Sequence, residues 1–322
     1  MSAPDGPPLP LLCEVVRSGV VESRHRGSLL LLDEHGAVEL ALGAVDAPVF
    51  PRSSMKPLQA VSMLRAGLDL PEKLLALACA SHSGESVHVD LCRAILARAG
   101  LGEAALSCPP ALPYGEEVAN ALLRAGGGPT RSRHNCSGKH AAMVATCVAC
   151  RWDVDGYLDP EHDLQHALRT QIEALAEEPV AAVAVDGCGA PQFAFSITGL
   201  AHAFRALAIA EPGTPEQRAA AAMRAHPVVI GGTGRDVTEL MAAVPGLVAK
   251  DGAEGVYGAA LPDGRAMAVK VEDGAMRPLP VILAAVLRRW GFGGEAIERW
   301  SAPHILGGGR PVGTIRMVED LG

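Results

Sequence analysis

Strand patterns lie at both ends of this 322-residue chain, and helical patterns fill the stretch between them. Near the start, an apolar run at 28–32 and an alternating run at 37–42 flank a polar turn, which predicts a β-hairpin. Near the end, three short strands are predicted between 247 and 271, and one more around 314–316. Strands from both ends are expected to share one hydrophobic core. The pattern therefore predicts an α+β fold in which one antiparallel sheet takes strands from both ends of the chain.

The middle of the chain is predicted to be rich in helices, and we find no internal repeat or clear linker. Ser53 is the expected N-cap of the first helix, and a buried strand is expected at 179–185. Further helices are predicted at 73–80, 87–99, 137–150, 160–177, 215–226 and 278–290. We expect a single catalytic unit over 1–322, with its sheet-containing part at about 10–60 and 180–322 and its helix-rich part at about 61–179.

Composition excludes several functional classes. The net charge of -8 and a pI near 5.8, without a basic cluster, argue against nucleic-acid binding. Residues 1–10 lack the basic and apolar segments of a signal peptide, and no apolar run approaches the ~20 residues of a membrane helix, so we expect a cytoplasmic protein without membrane association. The eight cysteines are then not expected to form disulfides.

Lysine is scarce, since only five of the 28 basic residues are lysine and 23 are arginine. Both serve about equally well on a solvated surface, but only lysine can give up its proton and act as a base. A lysine retained against this bias is therefore expected to have a role that arginine cannot fill. The five are Lys56, Lys73, Lys139, Lys250 and Lys270.

Ser53 and Lys56 form a Ser-x-x-Lys pattern where a helix is predicted to begin. This spacing places both residues on one helix face, so a desolvated amine can accept the hydroxyl proton. Taken alone, a capping serine followed by an exposed lysine is the simpler interpretation. In penicillin-binding proteins and serine β-lactamases, however, Ser-x-x-Lys precedes a serine-bearing loop and then Lys-x-Gly on an edge strand. The same order occurs here, with Ser81-His82-Ser83 and then Lys250-Asp251-Gly252.

Cys136 lies at a predicted helix start beside Lys139, and Cys188 lies in a glycine-flanked turn. A cysteine in such a place has a lowered thiol pKa, which suits a reactive thiolate or a metal ligand. Two thiolates with neighbouring donors would suit zinc. Two buried structural cysteines are the alternative, and Cys147 and Cys150 are expected to be core residues.

Five blocks of residues resemble the rhizobial-type L-asparaginases, often called L-asparaginase II. They are Arg52-Ser53-x-x-Lys56-Pro57, Ala80-Ser81-His82-Ser83-Gly84-Glu85, Asn135-Cys136-Ser137-Gly138-Lys139-His140, Asp186-Gly187-Cys188 and Val271-Glu272-Asp273-Gly274. The resemblance runs from about Val15 to Arg316, and the Cys-Ser-Gly-Lys-His block is highly specific. That family is similar in fold to serine β-lactamases and serine-dependent glutaminases, so the resemblance implies a serine β-lactamase-like arrangement.

The resemblance also implies the roles of ten residues. They are Ser53 with Lys56 and Ser81 with Lys250 as catalytic pairs, Cys136, Lys139 and Cys188 as zinc ligands, and Arg52, His140 and Asp186 around the substrate. Arg52 could bind the substrate α-carboxylate and Asp186 its α-ammonium. One departure is Asp236, where relatives tend to carry an aromatic residue.

The resemblance therefore implies an L-asparaginase that hydrolyses the side-chain amide of L-asparagine to L-aspartate and ammonia. We favour Ser53 as the acylated nucleophile, with Ser81 as its rival, and expect zinc to orient the site. The alternatives are a glutaminase or another amide hydrolase on this scaffold, an amidase that uses Cys136 with His140 as base, and a non-catalytic amino-acid sensor. We expect a homodimer that acts on a small molecule.

Overall fold

The computed structural model describes residues 8–318. The prediction that residues 1–10 are not a signal peptide therefore falls mostly outside the described residues, since seven of those ten precede residue 8. Its strands are β1 Leu11–Arg17, β2 Val20–Leu32, β3 Val38–Leu42, β4 Ala182–Val185, β5 Pro191–Ala194, β6 Val248–Gly252, β7 Val256–Ala260, β8 Ala266–Val271, β9 His304–Gly307 and β10 Arg310–Met317. Its α-helices are α1 Lys56–Ala66, α2 Glu72–Ala78, α3 Ser86–Arg98, α4 Glu116–Arg124, α5 Ser137–Cys150, α6 Asp163–Ala176, α7 Ile197–Ala208, α8 Pro215–Ala225, α9 Pro227–Ile230, α10 Asp236–Ala243, α11 Leu279–Arg289 and α12 Glu295–Ser301.

One antiparallel sheet of eight strands organises the fold. Its order is β6-β7-β8-β2-β1-β10-β9, with β3 paired to β2. Strands β1 to β3 come from the start of the chain and β6 to β10 from its end. The expectation of an α+β fold with an antiparallel sheet from both chain ends and a helix-rich middle is therefore confirmed.

The predicted hairpin is present as β2 and β3. The Asp33 carboxylate accepts hydrogen bonds from the backbone N–H groups of His35 and Ala37, at 2.9 and 2.8 Å. Gly36 adopts φ +85°, a conformation that glycine reaches without steric cost. The turn is thus built by the side chain and the glycine that its sequence supplies.

Helices cover the sheet and also form a separate layer. Strands β6 and β7 are buried at every residue, and since side chains alternate between faces, both faces of this part of the sheet are covered. Helix α7 packs on β2, β7 and β8, whereas α11 packs on β1 and β10. Helix α1 packs against α5, α6 and α8 in the helix-rich part. The sheet edge formed by β6 thus lies next to the start of α1, where a 3-10 turn, Arg52–Met55, contacts it.

Two local predictions differ from the structure. Ser53 is not a helix N-cap, because it lies inside the 3-10 turn and α1 begins at Lys56 without a capping side chain. The strand expected at 179–185 is shorter and mostly exposed, because β4 pairs only with β5 in a separate two-stranded sheet. Helices α7 to α10 lie within the part of the chain that was predicted to contain the sheet. Within residues 8–318, no helix combines the length and the apolar character needed to cross a bilayer.

Candidate active site

Three of the five lysines are almost completely removed from solvent. The relative exposures are 1% for Lys56, 2% for Lys139 and 0% for Lys250. Lys73 is exposed on α2, and Lys270 is partly buried on β8. Burying a charged amine is costly unless it is paired, so three such lysines indicate a functional role and not a solubilising one.

The amine of Lys56 is held by the loop that follows α2. Its Nζ lies 2.6 Å from the carbonyl oxygen of Ala80 and 2.9 Å from Oγ of Ser81. The resemblance implied that Ser53 pairs with Lys56 and Ser81 with Lys250. In the described residues 8–318, however, Lys56 hydrogen-bonds Ser81, and Lys250 hydrogen-bonds Asp251. Because α1 begins only at Lys56, Ser53 is not placed on the same α-helical face, as its spacing had suggested.

Ser53 lies in a strained turn that packs closely on β6. Arg52, just before it, adopts φ +54°, which is uncommon and strained for a residue other than glycine. Gly252 on β6 permits the contact, since a Cβ there would lie 2.3 Å from the carbonyl oxygen of Pro51. The glycine of the Lys-x-Gly pattern thus allows β6 to reach the turn that carries Ser53.

Lys250 belongs to a second buried network. Its Nζ contacts Oδ1 of Asp251 at 2.5 Å and the carbonyl oxygen of the same residue at 2.7 Å. Arg235 binds the other carboxylate oxygen of Asp251 at 2.6 Å and the carbonyl oxygen of Ser81 at 2.8 Å. Arg235 therefore joins the serine loop to the strand that carries Lys250.

The surroundings of Lys250 favour its neutral form. Burial lowers the pKa of its amine to about 8, and the charges of Lys56 and Arg235 act in the same direction, while Asp251 opposes them. An amine with this pKa is partly deprotonated near neutral pH. Lys250 can therefore exchange a proton under physiological conditions.

Arg52 and Asp186 form an ion pair at the edge of this site. Nε of Arg52 lies 2.8 Å from Oδ1 of Asp186. Burial alone would raise the pKa of Asp186, but the positive charges of Lys139 and Arg52 lower it to about 2. Asp186 is therefore ionised, and one of its oxygens is already engaged by Arg52.

The predicted zinc ligands come together next to Asp186 of this ion pair. Sulfur and oxygen donors of Cys136, Asp186 and Cys188 lie within 4.8 Å of one another, and the amine of Lys139 is 3.1 Å from Sγ of Cys188. Thiolates with one or two further donors in a compact cluster fit a four-coordinate zinc ion. Asp186 is an additional candidate ligand that the resemblance had placed around the substrate.

The two sulfurs of this cluster share a proton unequally. A hydrogen bond from Cys188, assisted by nearby amines and opposed by burial, holds the pKa of Cys136 well below its usual range. The same contact and burial raise the pKa of Cys188. Burial alone would lower the pKa of Lys139, but the Cys188 and Cys136 sulfurs and Asp186 raise it. Lys139 is thus held as a cation beside the sulfur of Cys136, and it would have to lose a proton to serve as a zinc ligand.

His140 lies behind the cysteines on α5. Its Nδ1 is 2.7 Å from the hydroxyl of Tyr157, which also accepts a hydrogen bond from the backbone N–H of Ser107. Nε2 is buried and has no hydrogen-bond partner within residues 8–318. Burial lowers the pKa of His140 to about 4, so the ring is neutral near pH 7. It can therefore act as a polar wall of the site and not as a permanent charge.

Three contacts of this site were not anticipated from the sequence. Two of them had a nearby sequence signal. Asp251 is the middle residue of the Lys250-x-Gly252 pattern, and Arg235 precedes Asp236, the position noted as differing from relatives. Tyr157 carried none, because it lies 17 positions after His140 and only the folded chain brings them together.

Comparison with known proteins identifies the family. The family model of L-asparaginase II matches residues 13–317 of this chain. No curated protein matches it.

Several solved structures are similar to this chain at low sequence identity. One is Mglu, at 14% identity and a TM-score of 0.43. The match covers 80% of this chain but only 62% of Mglu. A candidate β-lactamase of Bacteroides dorei matches at 13% identity and a TM-score of 0.45, covering 81% of this chain and 93% of that one. EstCE1, a hydrolase with promiscuous acyltransferase activity, matches at 14% identity and a TM-score of 0.41, covering 80% of this chain and 92% of its own. It is the family model, which spans nearly the whole chain, that shows that this protein belongs to the L-asparaginase II family.

Proposed function

We propose that this protein is an L-asparaginase that hydrolyses the side-chain amide of L-asparagine through a serine activated by lysine. The observation that carries the proposal is the hydrogen bond between the buried amine of Lys56 and Oγ of Ser81. A desolvated lysine in contact with a serine hydroxyl is the arrangement that Ser-Lys catalysis requires. Membership of the L-asparaginase II family supports the choice of asparagine as the substrate.

Ser53 is our choice for the nucleophile. It is partly exposed beside Arg52, whereas Ser81 is 4% exposed and already bonded to Lys56. A nucleophile must be reached by the substrate, while a proton relay can lie deeper. Lys56 hydrogen-bonds Ser81 and not Ser53, but catalytic hydrogen bonds often form only once the substrate is bound, so this pairing does not exclude Ser53.

In the first step, Oγ of Ser53 attacks the amide carbon and its proton passes to the amine of Lys56. The proton then moves through Ser81 to the departing nitrogen, the carbon–nitrogen bond breaks, and ammonia leaves. In the second step, water attacks the β-aspartyl ester and gives its proton to Lys56. The carbon–oxygen bond to Ser53 breaks, Lys56 returns this proton to Oγ of Ser53, and aspartate is released as its new carboxyl group gives its proton to water.

Lys250 and Arg235 would support this relay from the other side of Ser81. Arg235 fixes the backbone of Ser81, and the lowered pKa of Lys250 allows its amine to take or return a proton. The shared carboxylate of Asp251 keeps both cations in place. Replacing either cation should therefore affect turnover more than substrate affinity.

Zinc would be held by Cys136, Lys139 and Cys188, with Asp186 within reach. The ion would supply a fixed positive charge that orients the site. The residues themselves tie the start of α5 to the turn after β4, because Lys139 bonds Cys188 and Asp186 bonds Arg52. We expect this connection to keep Arg52 in the position that binds substrate.

The test is ammonia release from L-asparagine and L-glutamine, compared by kcat/KM. We expect clear preference for asparagine, and equal or greater activity on glutamine would make the protein a glutaminase.

Ser53→Ala should lose turnover and also the mass of the acyl-enzyme intermediate, which rapid quenching traps in the wild-type protein. Ser81→Ala should slow the formation of the acyl-enzyme together with turnover, because its proton relay acts before ammonia leaves, whereas Ser53→Ala should form no acyl-enzyme at all. An amino-acid sensor would bind asparagine without releasing ammonia. The cytoplasmic homodimer stays a prediction, which sedimentation and cell fractionation would check.

A further inference from the structure

A cavity of about 350 Å³ opens beside Arg52, between the loop before the 3-10 turn, the β4–β5 hairpin and the β6–β7 turn. Its volume is near the lower end of the ~300–1,000 Å³ typical of small-molecule sites, so it suits a small ligand. Five of its nine lining residues are apolar, and the polar ones are Arg52, Gln192, Glu254 and Lys270. Glu254 and Lys270 have no role in the site described above.

Arg52 and Glu254 present opposite charges to each other across this cavity. Nη1 of Arg52 lies 3.9 Å from Oε1 of Glu254, which is longer than a direct charged hydrogen bond. Nε of Arg52 is held by Asp186, so the guanidinium cannot turn freely. The Glu254 side chain is 65% exposed, and a ligand can therefore reach it. The two charged groups therefore face each other without a direct hydrogen bond, which leaves both available to a ligand.

Glu254 is held in place by the tight turn between β6 and β7. It adopts φ +62° and is followed by Gly255 at φ +71°, the left-handed backbone that short hairpin turns require. Lys270 donates hydrogen bonds to the carbonyl oxygens of Glu254 and Val271, at 2.6 and 2.5 Å, and so secures the β6–β7 turn. Gly274 leaves room for the carboxylate, since a Cβ there would lie 2.5 Å from Oε2 of Glu254.

We propose that Arg52 and Glu254 together recognise the head group of an α-amino acid, with Arg52 binding the α-carboxylate and Glu254 the α-ammonium, and that Lys270 positions Glu254. The proposal rests on the proposed function and names how that site selects its substrate. An α-amino acid carries both charges on substituents of one carbon, which matches two opposite charges a few ångströms apart. Asp186 is less suited to the ammonium, because Arg52 engages one of its oxygens and Cys188 lies 3.4 Å from the other.

The test compares L-asparagine with succinamic acid, which has the same amide and carboxylate but no α-ammonium. In Glu254→Gln, we expect kcat/KM for asparagine to fall by about 10- to 100-fold, as loss of a hydrogen bond to a charged group does, while succinamic acid is hydrolysed at the wild-type rate. Gln keeps the shape and the backbone preference of the side chain, so folding should be unaffected. Lys270→Met should shift the same selectivity ratio, mainly through KM.

Glu272→Gln is the matched control, because it removes the same charge from an exposed residue two positions after Lys270 that does not line the cavity. It should leave kcat/KM unchanged for both substrates. If Glu254→Gln slows both substrates equally, the assignment of Glu254 is wrong while the asparaginase function stands.

If the wild-type protein releases ammonia from neither compound, the proposed function fails and calorimetry still tests the cavity. Loss of asparagine binding in Glu254→Gln, with succinamic acid binding retained, would then support the amino-acid subsite. Unchanged asparagine binding would overturn it.

Discussion

The amine nitrogen of Lys56 lies 2.9 Å from the hydroxyl oxygen of Ser81, although 25 positions separate the two residues in the chain. Lys56 opens α1, and Ser81 lies in the loop after α2. The contact therefore depends on how these two helices pack, and it joins two segments that each carry a serine. Arg235 adds the third segment by binding the backbone of Ser81 and the carboxylate next to Lys250.

Lys56→Arg should abolish turnover although the charge is retained, because a guanidinium cannot be deprotonated at working pH. Loss of a general base typically costs about 10²- to 10⁴-fold in rate. Lys73→Arg is the control, since Lys73 is exposed. The measurement is ammonia release, with circular dichroism to verify folding and Lys56→Met as a second variant if the arginine does not fit. Near wild-type turnover in the folded Lys56→Arg protein would exclude Lys56 as the base.

The pH profile should report Lys250. Its pKa of about 8 predicts that kcat/KM rises as the pH increases through that value, because the amine is active when neutral. Asp251 raises this pKa, so Asp251→Asn should lower it further and move the rising limb to lower pH. The check is kcat/KM measured from pH 6 to about 10 for both proteins. A limb that stays in the same place would show that another group controls it.

Gly252→Ala should separate activity from stability. The new Cβ would meet the carbonyl oxygen of Pro51 at 2.3 Å and displace the turn that carries Ser53. Overpacking of this kind costs about 1–3 kcal/mol in unfolding free energy, while a 1 Å misplacement at the site costs about 10²-fold in rate. Gly128→Ala is the control, since a Cβ at Gly128 meets nothing within 4 Å. Full activity in Gly252→Ala would mean that the close contact is not needed for catalysis.

Metal analysis of the purified protein should find zinc at a stoichiometry near one per chain, as expected for a single four-coordinate site. Cys188→Ser should lose most of it, because the site would lose a thiolate. Cys147→Ser provides the comparison, as Cys147 is a buried core cysteine outside the cluster. Retention of zinc in Cys188→Ser, or equal loss in both variants, would contradict the assignment.

Much of the fold was predictable because its signals are local. The β2–β3 hairpin is encoded by Asp33 and Gly36 within its own turn, and α5 begins and ends where its polar and apolar pattern predicted. The scarcity of lysine also predicted special roles for the lysines that remain, and the burial of Lys56 and Lys250 is consistent with that expectation. These features need no knowledge of distant contacts.

The errors concern features set by packing. The apolar residues of β4 gave no sign that the strand would pair with β5 alone and remain exposed. The partner of Lys56 could not be inferred from spacing, because a 3-10 turn replaced the expected α-helical one before it. The proximity of Arg52 and Glu254 depends on how the β6–β7 turn packs against the loop before α1, and no short sequence motif predicts such a contact.

The order of the sheet also affects how the chain can be made. Leu30 on β2 pairs with Ala268 on β8, so a strand that leaves the ribosome early has to wait for one of its neighbours until most of the chain has been synthesised. Pairing across such a long separation is slow, and an open strand edge invites association with other chains. A nascent chain that stops before β8 would lack both this neighbour and Lys270. We expect productive folding to begin only after β8 has been synthesised, and products that stop before β8 to aggregate without reaching an active form.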